Sequence, residues 1–227
     1  MILIRHGEKQ YRNADAKFHK HDPGLTEIGV ERAKGVAKKL IQLYGEPFKI
    51  ISSPYRRARE TALIMNSELS NPVDEIIIDN NLSEYLGNHS QANLDVTVAT
   101  AIHKPPHPEK FEDMQKRTKK CLNKMRKLMA DHPNRIVWLI THGIIIQQIA
   151  NFIGIRMPKT IPYLSGLLLQ EDSDLLRSTI LLFQGELKPA VESNDSDDYP
   201  ISNGNNFNKQ TNKYFKGNQL TENIEKK

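Results

Sequence analysis

Ile2-Leu3-Ile4-Arg5-His6-Gly7-Glu8 and, far along the chain, Ile136-Val137-Trp138-Leu139-Ile140-Thr141-His142-Gly143 are built alike. Each opens with a run of β-branched and large apolar residues, the pattern of a buried strand. Each then delivers a histidine and a glycine at the strand's carboxyl end, where glycine tolerates a sharp exit. An arginine and a histidine ending a core strand are costly without a partner. Arg5 and His6 therefore point to something negative at that place.

Working outward, strands and helices alternate. The strand candidates are Ile2–Ile4, Lys49–Ser52, Ile76–Asp79, Ile136–Thr141, Leu164–Leu169 and Thr179–Phe183. A first helix follows Thr26, whose hydroxyl can cap it, with Glu27 favourably placed in the first turn. Leu25, Ile28, Val36, Leu40, Ile41 and Tyr44 follow helical spacing as its inner face, and Gly45 and Pro47 stop it. A second helix opens at Ser53-Pro54, with proline at the first helical position. A third turns Phe111, Met114, Cys121, Leu122, Met125, Leu128 and Met129 inward and ends before His132-Pro133. A fourth runs from Ile144 to Phe152, closed by Gly154. Strands separated by helices predict a three-layer α/β/α sandwich with a largely parallel central sheet.

The chain has 227 residues, enough for one good core, and a formal charge of +5, which a mildly basic surface explains. It has one cysteine, which excludes a disulfide framework or a cysteine-rich zinc site and suits a reducing, cytoplasmic setting. No apolar run is long enough to span a bilayer, so no membrane association is expected. From Leu187 onward the composition turns to Asn, Lys, Asp and Ser without period, too polar to offset its ordering entropy. The division predicted is a catalytic domain over residues 1–186 and a disordered tail over 187–227.

Ligands of open parallel sheets bind outside the carboxyl ends of the strands. Both His-Gly pairs lie there, and the second leads into a helix N-terminus, whose backbone N–H groups favour anions. Lys49–Ser52 leads through Ser53-Pro54-Tyr55-Arg56 to Arg57, in the first turn of the next helix. Two histidines and two arginines, Arg5 and Arg57, converging on one edge suit a phosphate group, which guanidinium grips in pairs without losing its charge.

Arg5-His6-Gly7-Glu8, Leu25-Thr26-x-x-Gly29, Ser53-Pro54-x-x-Arg57-Ala58 with Thr61-Ala62, Leu82-Ser83-Glu84 and Thr141-His142-Gly143 occur in that order. Together they resemble the histidine phosphatase superfamily, with its phosphoglycerate mutase-like fold, over residues 1–185. The resemblance implies phosphoryl transfer without a metal or other cofactor, through a phosphohistidine on His6. It places Arg5, Arg57 and His142 around the phosphoryl group, beside Gly143, whose place at a helix N-terminus also suits phosphate, and makes Glu84 the proton donor. The chemistry is coherent: an unprotonated imidazole nitrogen is a competent nucleophile near neutral pH, and it splits one hard displacement into two easier ones. The surrounding arginines disfavour the protonated form of His6. A dianionic phosphate beside Glu84 favours the acid that the leaving oxygen needs. Glu8 is the alternative acid.

Other features have plainer readings. Cys121 belongs to the core, and no Cys-x5-Arg loop accompanies it. Lys116, Arg117, Lys119, Lys120, Lys124, Arg126 and Lys127 read as the solvated face of an amphipathic helix without aromatic platforms, so no nucleic-acid partner is expected. Pro105-Pro106 prevents His103 and His107 from acting as a helical metal pair. Glu8, Lys9 and Arg12, with His19 and Lys20 further on, are candidate substrate contacts. Mutases of this fold carry an asparagine six residues after the first histidine, where this chain has Arg12. Here the acid is followed by Tyr85-Leu86-Gly87-Asn88, which breaks the mutase spacing. Hydrolysis of a phosphorylated small molecule or phosphoprotein is favoured; a mutase or bisphosphoglycerate phosphatase, or a non-catalytic phosphate-binding scaffold, are the alternatives. The substrate is expected to meet the irregular segment Tyr85–Lys110. Substrate identity and oligomeric state are left open.

Overall fold

Alternation along the apolar strands decides how the layers form. β1 (Ile2–Arg5), β2 (Pro47–Ser52), β3 (Ile77–Ile78), β4 (Ile136–Thr141), β5 (Gly166–Asp172) and β6 (Leu175–Leu181) form one sheet, in the order β3-β2-β4-β1-β5-β6. The computed structural model describes residues 1–10, 22–87, 109–172 and 175–181. Arg12, His19, Lys20, His103 and His107, most of the Tyr85–Lys110 segment and the 187–227 tail lie outside them. β3, β2, β4 and β1 are parallel neighbours, whereas β5 runs antiparallel to β1 and β6 antiparallel to β5. The last two strands form a hairpin because no helix separates them, and antiparallel pairing needs no crossover.

Residues of opposite parity face opposite layers. Leu3, Ile51, Val137, Leu139, Leu167 and Leu169 pack with α3 (Phe111–Asp131) and α4 (Gly143–Phe152) through Met114, Cys121, Met125, Ile145, Ile146 and Ile149. Ile2, Ile4, Ile50, Trp138, Ile140 and Leu168 pack with α1 (Glu27–Tyr44) and α2 (Arg56–Asn66) through Ala33, Val36, Ala37, Leu40, Ala58, Ala62 and Met65. This is the three-layer sandwich, with each central strand buried on both faces. Among the described residues no helix is long and apolar enough to cross a membrane.

Local details depart from the sequence reading in instructive ways. Thr26 caps α1, its Oγ1 accepting from Gly29 N–H at 2.9 Å. The buried stripe of α1, however, is Gly29, Ala33, Val36, Ala37 and Leu40, and Ile28 is 56% exposed. A Cβ on Gly29 would stand 2.4 Å from the Glu8 carbonyl oxygen, so α1 turns its smallest residues to the chain after β1. Ile28, one residue away and about 100° round the helix, faces out. α2 starts at Arg56 with Tyr55 as its cap, so Pro54 precedes the helix instead of occupying its first position. Phe111 is 40% exposed and rests its ring edge-on against Tyr85. Leu164 has φ 63° and belongs to the turn before β5, not to the strand. β5 begins at Gly166, where a Cβ would lie 1.8 Å from the Leu3 carbonyl oxygen.

Candidate active site

Parallel pairing sets the strand ends in step. Arg5 is in register with Thr141, and His6 N–H donates to the Thr141 carbonyl at 2.9 Å. Ser53 N–H donates to Ile140 and Asp79 N–H to Ser52, each at 2.9 Å. The ladder thus carries His6, His142, Ser53 and the loop leading to Glu84 to one edge. The two imidazole rings lie edge to face, 5.2 Å apart.

Arg57 reaches this edge from the first turn of α2, with only 2% of its surface exposed. Its Nε–H donates to His6 Nε2 at 3.2 Å, and one Nη1–H to Asp22 Oδ1 at 3.2 Å. Its Nη2 donates to Glu84 Oε2 and approaches His142 Nδ1 at 3.5 Å. The Tyr55 ring lies under the guanidinium at 4.5 Å and edge-on to His142 at 5.0 Å. Arg5 donates to the Ile161 carbonyl and stacks 4.2 Å from the centre of the Tyr163 ring, which also lies 5.6 Å from His6.

The hydrogen bonds define the imidazole tautomers. His6 Nδ1 is 2.7 Å from the Gly7 carbonyl, which can only accept, so Nδ1 carries the proton and Nε2 the lone pair. His142 Nδ1 faces an Arg57 N–H and accepts, leaving Nε2–H to donate to Ser53 Oγ at 2.8 Å. Burial holds His6 well below the usual histidine range, and the charges of Arg57, Arg5 and Lys9 add to it against the Gly7 carbonyl. His142 is held low by burial and then by Arg57. Both rings are neutral near pH 7. Gly7 N–H donates to Thr61 Oγ1 at 2.9 Å, and that hydroxyl donates to the Arg57 carbonyl at 2.7 Å, tying the loop after β1 to α2.

The structure brings together Arg5, His6, Arg57, Glu84 and His142, with Gly143 opening α4 beside the Arg5 side chain. Glu84 Oε2 is 3.9 Å from His142 Nδ1. Glu8 is directed elsewhere: its carboxylate accepts from the Thr26 hydroxyl at 3.0 Å and lies 3.8 Å from Arg32. Lys9 sits at an isolated bridge to Leu25 and acts on both histidines through its charge. Arg12 lies outside the described residues. Sequence reasoning gave no role to Asp22, Ser53, Tyr55 or Tyr163. Ser53, a hydroxyl at a strand's carboxyl end in step with His142, was the one with a usable signal. Arg117, expected on a solvated face, is withdrawn from it: its side chain is 11% exposed and engages Glu109 and two backbone carbonyls. Cys121 is buried, and burial pushes its thiol up to about 12, so it offers no thiolate. Among the described residues no three or more His, Cys, Asp or Glu side chains are grouped to hold a metal ion.

A buried lone pair, two guanidinium groups and a carboxylate at van der Waals range suit transfer of an anionic group. A model of the histidine phosphatase superfamily (branch 1) matches residues 1–163. A glucosyl-3-phosphoglycerate phosphatase of Mycolicibacterium vanbaalenii is 31% identical over 101 residues, 44% of this chain and 43% of that one. A 2,3-bisphosphoglycerate-dependent phosphoglycerate mutase of Parvibaculum lavamentivorans is 35% identical over 85 residues, 37% of this chain and 40% of that one. Each of these two matches covers less than half of the relative's length. The solved structure of a mycobacterial glucosyl-3-phosphoglycerate phosphatase aligns with a TM-score of 0.55 at 22% identity, over 80% of this chain and 97% of that one. This likeness is one of fold.

Proposed function

The chain belongs to the histidine phosphatase superfamily (branch 1), and we propose that this phosphatase hydrolyses phosphomonoesters without a metal, through a phosphohistidine on His6. The observation that carries the reading is the His6 ring itself. Its Nδ1–H is committed to the Gly7 carbonyl, and its Nε2 lone pair faces Arg57 among groups that resist protonation.

A phosphoryl dianion is a better acceptor for Arg57 than a neutral imidazole. As it enters, the guanidinium turns its donors to the phosphoryl oxygens and releases Nε2. The Nε2 lone pair then attacks phosphorus as the bond to the ester oxygen breaks, and Glu84 gives its proton to that oxygen. Arg5 and Arg57 hold the equatorial oxygens, whose charge spreads in a loose transition state, and His142 joins them in the tautomer protonated at Nδ1, its Nε2 then accepting from the Ser53 hydroxyl. In the second step a water attacks phosphorus and passes a proton to the Glu84 carboxylate. The P–N electrons return to Nε2, leaving inorganic phosphate. The arginine donors, turned to the phosphoryl oxygens once the substrate is bound, supply the charge stabilisation a metal would otherwise provide.

The glucosyl-3-phosphoglycerate phosphatase among its relatives supports a phosphorylated small molecule as substrate. The mutase relative supports a second reading, phosphoglycerate interconversion or bisphosphoglycerate hydrolysis. p-Nitrophenyl phosphate turnover in EDTA, with a rapid quench of labelled substrate, tests the proposal. The wild type should carry an acid-labile, base-stable phosphoryl group. His6→Ala should keep its fold and lose about a thousandfold or more of its activity. Label retained on His6→Ala would move the nucleophile elsewhere. Phosphate appearing on 3-phosphoglycerate from 2,3-bisphosphoglycerate, faster than free phosphate is released, would favour the mutase. Absence of turnover and label on every phosphoester would leave a binding scaffold.

A further inference from the structure

Glu84 stands at the end of a short irregular loop, so its position depends on what grips the backbone before it. The 3-10 turn Asn80–Leu82 is capped by Asp79, whose Oδ1 accepts from Asn81 N–H at 2.9 Å and whose Oδ2 meets Lys124 at 3.2 Å. The loop carbonyls are then taken in order. Asp79 O accepts from Leu82 N–H at 3.0 Å, Asn80 O from Ser83 N–H at 3.1 Å, and Leu82 O from the Thr141 hydroxyl at 2.8 Å. Asn81 O and Ser83 O both accept from Arg117 Nη1, at 2.9 and 2.8 Å. Ser83 O belongs to the peptide that leads into Glu84.

The other edge of the same guanidinium is held by Glu109, with Nε to Oε1 at 2.6 Å and Nη2 to Oε2 at 2.8 Å. The Arg117 and Glu109 side chains are 11% and 5% exposed, whereas Lys116 beside them is 78% exposed. A buried ion pair is often no more stabilising than apolar residues of the same volume, so stability alone is a weak reason for it. A guanidinium can take a carboxylate along one edge and still aim further donors at carbonyls, which an ammonium cannot do with fixed geometry. We propose that Arg117, oriented by Glu109, is a positioning residue that fixes the Glu84 carboxyl at the leaving-group oxygen. The inference rests on the reading of Glu84 as proton donor. It accounts for a buried arginine in a helix whose basic residues otherwise look solvated.

Two variants test it without leaving Glu109 buried and unpaired. Arg117→Lys keeps the charge beside the carboxylate, and the double variant Arg117→Met/Glu109→Leu replaces the pair by apolar groups. Misplacement by about an ångström costs on the order of a hundredfold in rate. In both variants kcat/KM for an alkyl phosphate should fall by about thirtyfold or more, because that leaving group needs the proton. The phosphorylation burst with p-nitrophenyl phosphate should change by less than about threefold. The same leaving-group selectivity should appear in Glu84→Gln, measured in parallel, while Lys116→Met should behave as wild type. Equal losses for both leaving groups, or no loss, would overturn the proposal, as would failure of both variants to fold by circular dichroism. If Glu84→Gln itself shows no leaving-group selectivity, the role of Glu84 falls, and that of Arg117 with it. Selectivity in Glu84→Gln but not in the Arg117 variants would sink this inference alone.

Discussion

Arg57 divides its donors among four partners, and that division shows what each end of the side chain does. Nε guards the His6 lone pair, and the terminal nitrogens hold Asp22 and Glu84 apart while pointing at His142. Lysine at this position would supply a point charge without the planar fork. Arg57→Lys should therefore lower kcat by about a hundred- to thousandfold, the loss typical of removing one preorganised donor to developing charge. It should also weaken competitive inhibition by inorganic phosphate. A kcat within about threefold of wild type would show that Arg5 and His142 suffice. Glu84 is tested by its leaving group. General acid catalysis contributes about a hundred- to ten-thousandfold, and a nitrophenolate needs little of it. Glu84→Gln should slow the burst with alkyl phosphates far more than with p-nitrophenyl phosphate. If the two slow equally, Glu8 becomes the residue to examine, although its carboxylate is turned to Thr26.

At the scale of elements, close backbone approach sets more of the geometry than side-chain apolarity does. Helix α1 meets the chain after β1 at Gly29, where a methyl group would press on the Glu8 carbonyl at 2.4 Å. Gly29→Ala should destabilise the fold by about 1–3 kcal/mol through overpacking, despite alanine's better helix propensity. Urea unfolding would read this, and an unchanged or raised midpoint would mean that the helix shifts freely. This contact explains where the sequence was legible and where it was not. The two strand ends that deliver His6 and His142, and the Thr26 cap, act through neighbours in the chain and in register, so local pattern announced them. Ile28 reads as core from its apolarity, and no local pattern announces that the Glu8 backbone lies against Gly29 and turns Ile28 outward. Arg117 read as solvated because two of its partners, Asn81 and Ser83, lie more than thirty residues away and the third, Glu109, precedes the helix and falls outside its periodicity. Asp22 was invisible for the same reason: it is defined by Arg56 and Arg57, more than thirty residues on. The β5–β6 hairpin was half legible: both strands were found, but the second was expected at Thr179–Phe183 and runs from Leu175 to Leu181.

The whole molecule combines a core buried on both faces of the sheet with charged groups whose ionisation that core resists. We propose from composition that the 187–227 segment adds no catalytic part. A chain ending at residue 186 should keep kcat/KM on an aryl phosphate within about twofold and its melting temperature within about 3 °C, the shift that about 1 kcal/mol produces in a domain of this size. A larger drop in either would show that the tail packs on the domain. The buried histidines make a sharper prediction. In the unfolded chain His6 and His142 titrate near about 6.5, whereas in the fold both are held well below the usual range, first by burial and then by Arg57. Between those values the unfolded state binds more protons, so stability rises with pH and is lost as pH falls. The slope contributed by the pair reaches at most about 2.7 kcal/mol per pH unit, twice that of a single group. The Met1 amine, lowered by burial to about 6, acts with the same sign but at higher pH. Asp22, raised chiefly by burial, acts with the opposite sign nearer the carboxylate range. The interval from about pH 6.5 down to 5 therefore belongs mainly to the histidines. Unfolding free energy from urea titrations should fall steeply across it, and His142→Gln should remove about half of the slope by deleting one proton acceptor. The acidic limb of kcat/KM should not follow this fall. With His6 already unprotonated, that limb reports the second ionisation of the phosphoester, near about 6. If the His142→Gln slope between pH 5 and 6.5 matches wild type, the rings are not held neutral by the fold, and the neutral His6 nucleophile loses its physical basis.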